Sequence, residues 1–208
     1  MKNLIEKLKE IEKLVCENFE DLEIDDPAED GIYDDYLLVG GATDEQIEKL
    51  EAKFDVRMPE DVKELYRYKN GSKGFYLLFP NDKYDRMFPY RLLSLAEIEE
   101  TKGYFQNKDV MLTEVYSADD DDERALLKRM EDHRVRPYLF HRKWIPFAEA
   151  PGGVRLLLDF DPDEEGTYGQ ILCYIHDPDE IAYAAKTITE MMDDTIGNVT
   201  VDDVSYDK

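Results

Sequence analysis

One segment, residues 41–71, constrains the fold of this chain more than any other: GATDEQIEKLEAKFDVRMPEDVKELYRYKNG. Its apolar residues recur at helical spacing in two short runs. Thr43 and Gln46 have the spacing of a capping box at the start of the first run. Pro59 suits the first turn of a second helix, since its missing N–H is not needed there. Gly71 can adopt the left-handed conformation that ends a helix, so the segment predicts two short capped helices joined by a turn.

Helical and strand patterns also occur on both sides of this helix pair. An apolar stripe at helical spacing is formed by Leu4, Leu8, Ile11 and Val15. It predicts an amphipathic helix over about residues 3–19, whose stripe packs on the domain or binds a partner. The acidic residues 20–41 read as a connection, in which GIYDDYLLVG fits one short strand. Strands are expected further along at residues 75–79, 90–93, 139–147, 154–160 and 170–175, and a closing helix at residues 187–196.

The order of these elements indicates the fold class. Helices come first, strands joined by short turns follow, and a helix closes the chain, which is typical of a single α+β domain. We expect a mainly antiparallel or mixed sheet flanked by helices. The expected parts are an N-terminal helix with its acidic connection at residues 1–41, a main domain at 42–197 with an insertion at about 102–136, and a fraying tail at 198–208.

The charge of the chain is its most unusual bulk property. Fifty Asp and Glu residues against 26 Lys and Arg leave a formal charge of −24. Binding of nucleic acid or of an anionic membrane needs basic clusters, so neither is expected. A basic protein partner is favoured by opposite fields, although an acidic surface also serves solubility alone. The expected partner-binding residues are the densest acidic run and two residues of the connection: Asp119, Asp120, Asp121, Asp122, Glu123, Asp25 and Asp26.

The acidic run has a second interpretation that needs no partner. Carboxylates in the first turn of a helix oppose the positive end of its dipole, so residues 119–123 also suit a helix start.

At the N-terminus Lys and Glu interrupt every apolar run, so no signal peptide is expected, and no run approaches the ~20 residues of a membrane span. We therefore expect a cytoplasmic protein. Cys16 and Cys173 form no CxxC motif and are expected to be reduced core thiols.

No pattern in the sequence predicts catalysis. Residues 159–163 carry the alternating carboxylates of a calcium loop, but Glu164 stands where that loop needs Gly and Gln170 where it needs Glu. The histidines lack the spacing of a metal motif: His133, His141 and His176. A pair of Cys173 with His141 across adjacent strands is conceivable, yet no nucleophile elbow accompanies it. We expect no metal, no cofactor and no enzymatic activity.

Trp144, the only tryptophan, lies in the apolar strand WIPFA. Its ordinary role is a core anchor with its N–H bonded to a nearby carbonyl, and its alternative role is an exposed binding anchor.

Several short motifs, in this order and spacing, resemble the SUKH superfamily over about residues 43–196. That superfamily takes in Smi/Knr-type fungal cell-wall regulators and bacterial immunity proteins. One departure is Met58 before Pro59, where the family commonly has Leu-Pro. The residues that carry the resemblance are Glu51, Pro59, Asn70, Gly71, Trp144, Asp159 and Gly169.

The resemblance implies a mixed α+β fold and a protein that binds another protein. In bacteria it implies an immunity protein that blocks a cognate toxin, often a nuclease with a basic cleft, which an acidic inhibitor would suit. The alternative that it implies is a regulatory scaffold of the cell-wall-regulator type. The residues added to a minimal domain, 1–40 and 102–136, are the ones expected to carry this member's own specificity.

Overall fold

A computed structural model describes residues 2–81, 87–104, 108–176 and 179–200, and for Tyr104, Asp121 and Asp122 it describes the backbone only. Within these ranges the helices are α1 (Leu4–Glu17), α2 (Ile32–Leu37), α3 (Asp44–Phe54), α4 (Glu60–Tyr68), α5 (Leu95–Tyr104), α6 (Leu112–Val115), α7 (Asp121–Leu127) and α8 (Ile188–Thr200). The strands are β1 (Tyr76–Leu78), β2 (Tyr90–Leu92), β3 (Val110–Met111), β4 (Tyr138–Phe140), β5 (Trp144–Glu149), β6 (Arg155–Asp159), β7 (Gln170–Ile175) and β8 (Glu180–Ala185).

Six of these strands form one antiparallel sheet in the order β1-β2-β5-β6-β7-β8. Strands β3 and β4 pair separately as a small antiparallel sheet. Short connections join β5, β6, β7 and β8, as consecutive antiparallel strands allow. The predicted α+β fold with a mainly antiparallel sheet flanked by helices is confirmed.

Both faces of the central strands are buried. Along β6, Leu156 and Leu158 join the main apolar core, whereas Leu157 between them faces the opposite side. Strand β7 alternates in the same way, with Ile171 on the first face and Leu172 on the second. Strands buried on both faces read as continuous apolar runs, which explains why the sequence shows little alternation here.

The main core lies between the first face of the sheet and helices α1, α3, α4, α5 and α8. Helix α1 begins at a capping box formed by Asn3 and Glu6, and it packs against α8, α4 and β1. The predicted apolar stripe is buried there: Leu4, Leu8, Ile11 and Val15. The stripe therefore packs on the domain, which is the first of its two interpretations.

The second face of the sheet is covered by residues around β4. Val135 is buried there against Trp144 and Leu157, with Tyr138 and Phe140 packed at the margin. The chain of residues 102–136 contributes β3, which pairs with β4, as well as Val135 itself. Part of this expected insertion thus completes the fold, while the predicted domain boundaries stay predictions.

The strand expected within GIYDDYLLVG is wrong, because α2 occupies this segment. Tyr33 and Tyr36 lie three residues apart, so a helix turns both rings to one side. Their ring centroids lie 5.2 Å and 4.8 Å from that of Phe75. The helix thus brings both rings against a residue that is distant in the chain.

Two further boundaries differ from expectation. The single strand expected at residues 139–147 is divided by a tight turn. In this turn the backbone N–H of Trp144 donates to the His141 carbonyl at 3.1 Å. Helix α8 continues through Gly197 to Thr200, because its buried face extends to Val199. The predicted tail begins within this helix, and residues 201–208 lie outside the described residues.

A close contact between Gly169 and Pro59 fastens the helix pair to the start of β7. The backbone of Gly169 has φ +79°, and a Cβ there would lie 2.3 Å from the Pro59 Cγ. Gly152 has nearly the same dihedral, φ +78°, but a Cβ there meets nothing within 4 Å. Comparing the same substitution at the two glycines therefore separates the cost of backbone strain from the cost of steric contact.

The substitution Gly169→Ala should lower the free energy of unfolding by about 2 kcal/mol more than Gly152→Ala. Both variants carry the cost of a left-handed alanine, about 1 kcal/mol, and only the first also displaces a rigid proline ring. Urea denaturation of the two variants measures the difference. Equal destabilisation would contradict the contact.

Candidate functional site

Glu51, one of the motif residues, holds the turn between α3 and α4. Its side chain is 2% exposed. The carboxylate accepts the Met58 N–H at 2.7 Å and pairs with the Lys63 ammonium at 2.8 Å. One carboxylate oxygen, Oε1, thus receives both the backbone donor and the cation, and these two contacts stabilise one geometry of this turn.

Asn70 and Gly71 join the end of the helix pair to α5. The Asn70 Oδ1 accepts the Leu95 N–H at 2.9 Å, at the first residue of α5. Gly71 has φ +94°, and a Cβ on it would lie 2.8 Å from the Ser94 nitrogen. The motif therefore needs a side chain at Asn70 that can accept the first N–H of α5. It needs glycine at residue 71 because the backbone there approaches that of Ser94 too closely for a Cβ.

Trp144, Asp159 and Gln170 form a buried polar triad across β5, β6 and β7. The Asp159 carboxylate accepts the Trp144 indole N–H at 3.0 Å, the Gln170 amide at 2.9 Å and the Asp161 N–H at 3.0 Å. Trp144 is 1% exposed, so the core-anchor interpretation is confirmed, although its partner is a carboxylate and not a carbonyl. Burial raises the pKa of Asp159 to about 6.

His141 lies between two carboxylates. Its Nδ1 is 2.8 Å from the Asp109 carboxylate and its Nε2 is 2.9 Å from that of Asp161. Arg142 also pairs with Asp109 at 2.7 Å, and hydrogen bonds from Arg142 hold the pKa of Asp109 well below its usual range. The imidazole thereby ties the residues before β3 to the loop after β6.

The conceivable pair of Cys173 with His141 does not form. The Cys173 sulfur lies 3.4 Å from the Tyr90 hydroxyl on the first face of the sheet, whereas His141 bonds to its two carboxylates. Neither Cys16 nor Cys173, both of which the structure describes, forms a disulfide. In the described ranges no group of three or more His, Cys, Asp and Glu side chains is arranged to hold a metal ion.

The acidic connection at residues 20–41, which includes α2, carries a series of exposed carboxylates: Glu20, Asp21, Glu23, Asp25, Glu29, Asp30, Asp34 and Asp35. Asp25 also lines a small cleft of about 60 Å³ with Pro27 and Phe75. Asp26 is half-buried, and its carboxylate accepts the Ala28 N–H at 2.8 Å. Of the two residues of the connection that are expected to bind a partner, Asp25 is therefore exposed to solvent, while Asp26 is bonded to the local backbone.

The acidic run at residues 119–123 opens α7, as its helix-start interpretation predicts. The Asp120 carboxylate accepts the Glu123 N–H at 3.1 Å, and that of Glu123 accepts the Ser117 N–H at 2.8 Å. Asp119 is exposed. The side chains of Asp121 and Asp122 lie outside what the structure describes, and a role of this run in partner binding stays a prediction.

Sequence analysis missed the most exposed apolar side chains of the acidic connection. Leu37 and Leu38 end α2 with 51% and 81% of their surface exposed. Helical spacing places Leu38 on the side of α2 opposite Tyr33 and Tyr36, so its exposure becomes visible only when the segment is read as a helix. The pair of leucines after two aspartates was the available signal.

These contacts define a class of domain in which a helix pair is fastened to one face of an antiparallel sheet by buried side chains and close backbone contacts. The prediction that both helices are capped is correct for the start of α3 alone, because α4 has no side-chain cap and ends at Tyr68, before Gly71. A family model described as the SMI1 / KNR4 family (SUKH-1) matches residues 41–194. The chain belongs to this family. None of the helices in the described ranges has the length and apolar character of a membrane span.

Two curated relatives illustrate the similarity. "KNR4/SMI1 homolog 2" of Debaryomyces hansenii is 31% identical over 85 residues, which are 38% of this chain and 14% of that protein. "Cell wall biosynthesis/cell cycle regulator smi1" of Schizosaccharomyces pombe is 25% identical over 173 residues, which are 81% of this chain and 33% of that protein. The chain thus spans a third or less of the length of these relatives.

The raised pKa of Asp159 predicts a pH-dependent stability. A carboxyl whose folded pKa is raised stabilises the fold fully below its ordinary pKa of 3.8, and this stabilisation is lost as pH rises through about 6. The unfolding free energy of the wild type, relative to that of Asp159→Asn, should therefore fall by up to about 3 kcal/mol between about pH 4 and pH 7.

Denaturant titrations of both proteins at several pH values measure this difference. The substitution also sets an amide against the Gln170 amide, which adds a cost that does not change with pH. A difference that is constant across the range would show that Asp159 titrates normally.

Proposed function

We propose that this chain is a non-enzymatic binding protein whose acidic surface engages a basic protein partner. The observation that carries the proposal is the acidic connection that follows α1 and includes α2, in which eight carboxylates are exposed over residues 20–35. All of residues 20–35 precede residues 41–194, where the family model matches. A segment outside the shared domain, with charge concentrated on it, is suited to recognise a partner particular to this protein.

The role that we propose first is that of a cytoplasmic immunity protein. A nuclease toxin presents a basic cleft for its substrate, and a protein of charge −24 opposes such a cleft with the complementary sign. The motif residues support this role indirectly, because Glu51, Asn70 and Asp159 are occupied in holding the fold. Recognition is thereby left to exposed side chains such as Asp25 and Asp119.

A second candidate role is regulatory. One relative is named a cell wall biosynthesis and cell cycle regulator, and its similarity extends over 81% of this chain. In this role the same acidic surface would bind several basic host proteins. The two roles differ in the number of partners and in whether binding protects a cell.

Co-expression tests the first role. A basic protein encoded beside the gene of this chain should arrest growth when produced alone and should not do so when the chain is produced with it. The complex should weaken as salt rises, because attraction between exposed charges is screened. Equal killing with and without the chain would remove the immunity role, and binding of several host proteins without protection would establish the regulatory one.

Neutralising three exposed carboxylates of the connection should weaken this complex about tenfold. The variant combines Glu20→Gln, Asp25→Asn and Glu29→Gln, and each lost charge pair contributes up to about 1 kcal/mol. A matched control removes the same charge elsewhere: Glu114→Gln, Glu164→Gln and Glu165→Gln. Titration calorimetry at low and moderate salt measures both variants. Equal losses in the two variants would mean that net charge, and not this segment, determines binding.

A further inference from the structure

Two leucines at the end of α2 stand out from the acidic connection. Leu38 is 81% exposed, more than any other large apolar side chain that the structure describes, and Leu37 beside it is 51% exposed. Single exposed leucines are common on protein surfaces. An adjacent pair next to Asp34 and Asp35, both exposed, is a more specific arrangement.

The backbone under these leucines is fixed from below by a buried lysine. The Lys69 ammonium donates to the carbonyls of Tyr36 at 3.0 Å, Leu37 at 3.2 Å and Val39 at 2.9 Å. It also lies 4.4 Å from the centroid of the Tyr36 ring. Lys69 therefore binds the carbonyls at the C-terminal end of α2, where the helix dipole is negative.

The inner side of α2 is anchored independently of Lys69. The Tyr36 hydroxyl donates to the Glu12 carboxylate of α1, and Tyr33 and Tyr36 both contact the Phe75 ring. Burial raises the pKa of Glu12 and lowers that of Lys69, which means that burial destabilises the charged form of each group. Both groups nevertheless hold α2, Glu12 through the Tyr36 hydroxyl and Lys69 through backbone carbonyls.

The charges around the leucines select the partner. Asp34 and Asp35 lie on α2 itself, and Glu29 and Asp30 precede it, all with exposed side chains. Lys73 lies 3.3 Å from Asp35 in an exposed pair, which offsets little of this charge. A second copy of the chain would bring like charges together, so self-association through this surface is disfavoured. A partner that is both apolar and cationic is complementary.

We infer that Leu37, Leu38, Asp34 and Asp35, the α2 leucine surface, dock a cationic amphipathic helix of a partner protein. The leucines pack between the apolar side chains of that helix, and the aspartates pair with the lysines or arginines that border its apolar stripe. A backbone held before binding loses little conformational entropy in the complex. This inference deepens the proposed function and rests on it for the class of partner.

A defined peptide tests the surface without knowledge of the natural partner. The probe is a synthetic helix of leucine and lysine at amphipathic spacing, and its counterpart carries serine in place of leucine at equal charge. Titrated into the ¹⁵N-labelled full chain, the first peptide should shift the amide signals of residues 32–39. The serine peptide should bind at least about tenfold more weakly, because it lacks the apolar contact.

Variants of the chain complete the test. Leu37→Ser with Leu38→Ser should weaken binding of the leucine–lysine peptide about tenfold. Val115→Ser, at an exposed apolar residue of α6, is the matched control and should leave the affinity unchanged. Because all three side chains are exposed, the remaining amide spectrum should be preserved in each variant.

Three results would overturn the inference. The peptide could shift amide signals outside residues 32–39, or the variant with both leucines replaced could bind the leucine–lysine peptide as tightly as the wild type. The chain could also self-associate with rising concentration and lose this association in the same variant. These results are separable from failure of the proposed function. If the chain binds the peptide on α2 but protects against no toxin, the docking surface is supported and the immunity role is contradicted. If the chain protects against the toxin but does not bind the peptide, the immunity role is supported and the docking surface is contradicted.

Discussion

A buried ammonium group, that of Lys69, connects the acidic segment to the family domain. It follows α4 in the chain and bonds to carbonyls of Tyr36, Leu37 and Val39 near the end of α2. Helix α2 has only six residues, too few to be stable alone. Its conformation, and with it the display of the carboxylates and leucines, depends on this contact and on aromatic packing against Phe75.

The residues that define the family serve the interior. Glu51 fixes a turn, Gly71 permits a close approach of backbones, and Asp159 satisfies donors from three neighbouring segments. Such residues report the fold and carry no information about the partner. This division explains how relatives with similar cores could serve different biological roles, and why the role of this chain has to be argued from its surface.

The sequence predicts what is determined locally. The capping box of Thr43 and Gln46 and the apolar stripe of α1 are local patterns, and both form as expected. Helix α2 was not predicted, because its conformation depends on Phe75 and Lys69, far away in the chain. For Trp144 the sequence predicts the burial but not the partner, because Asp159 reaches it only through the pairing of β5 with β6. The candidate surface was predicted as charge alone, without its leucines.

Amide hydrogen exchange of the unbound chain tests the central claim most directly, namely that the N-terminal segment is a rigid part of the domain. Amides in the interior of α1 and the bonded amides at the end of α2 should exchange only through global opening, at the rate of the β6 and β7 amides. Fast exchange of the bonded amides at the end of α2, those of Leu38 and Val39, beside a protected sheet would show that α2 opens on its own. It would then be no fixed platform for a partner.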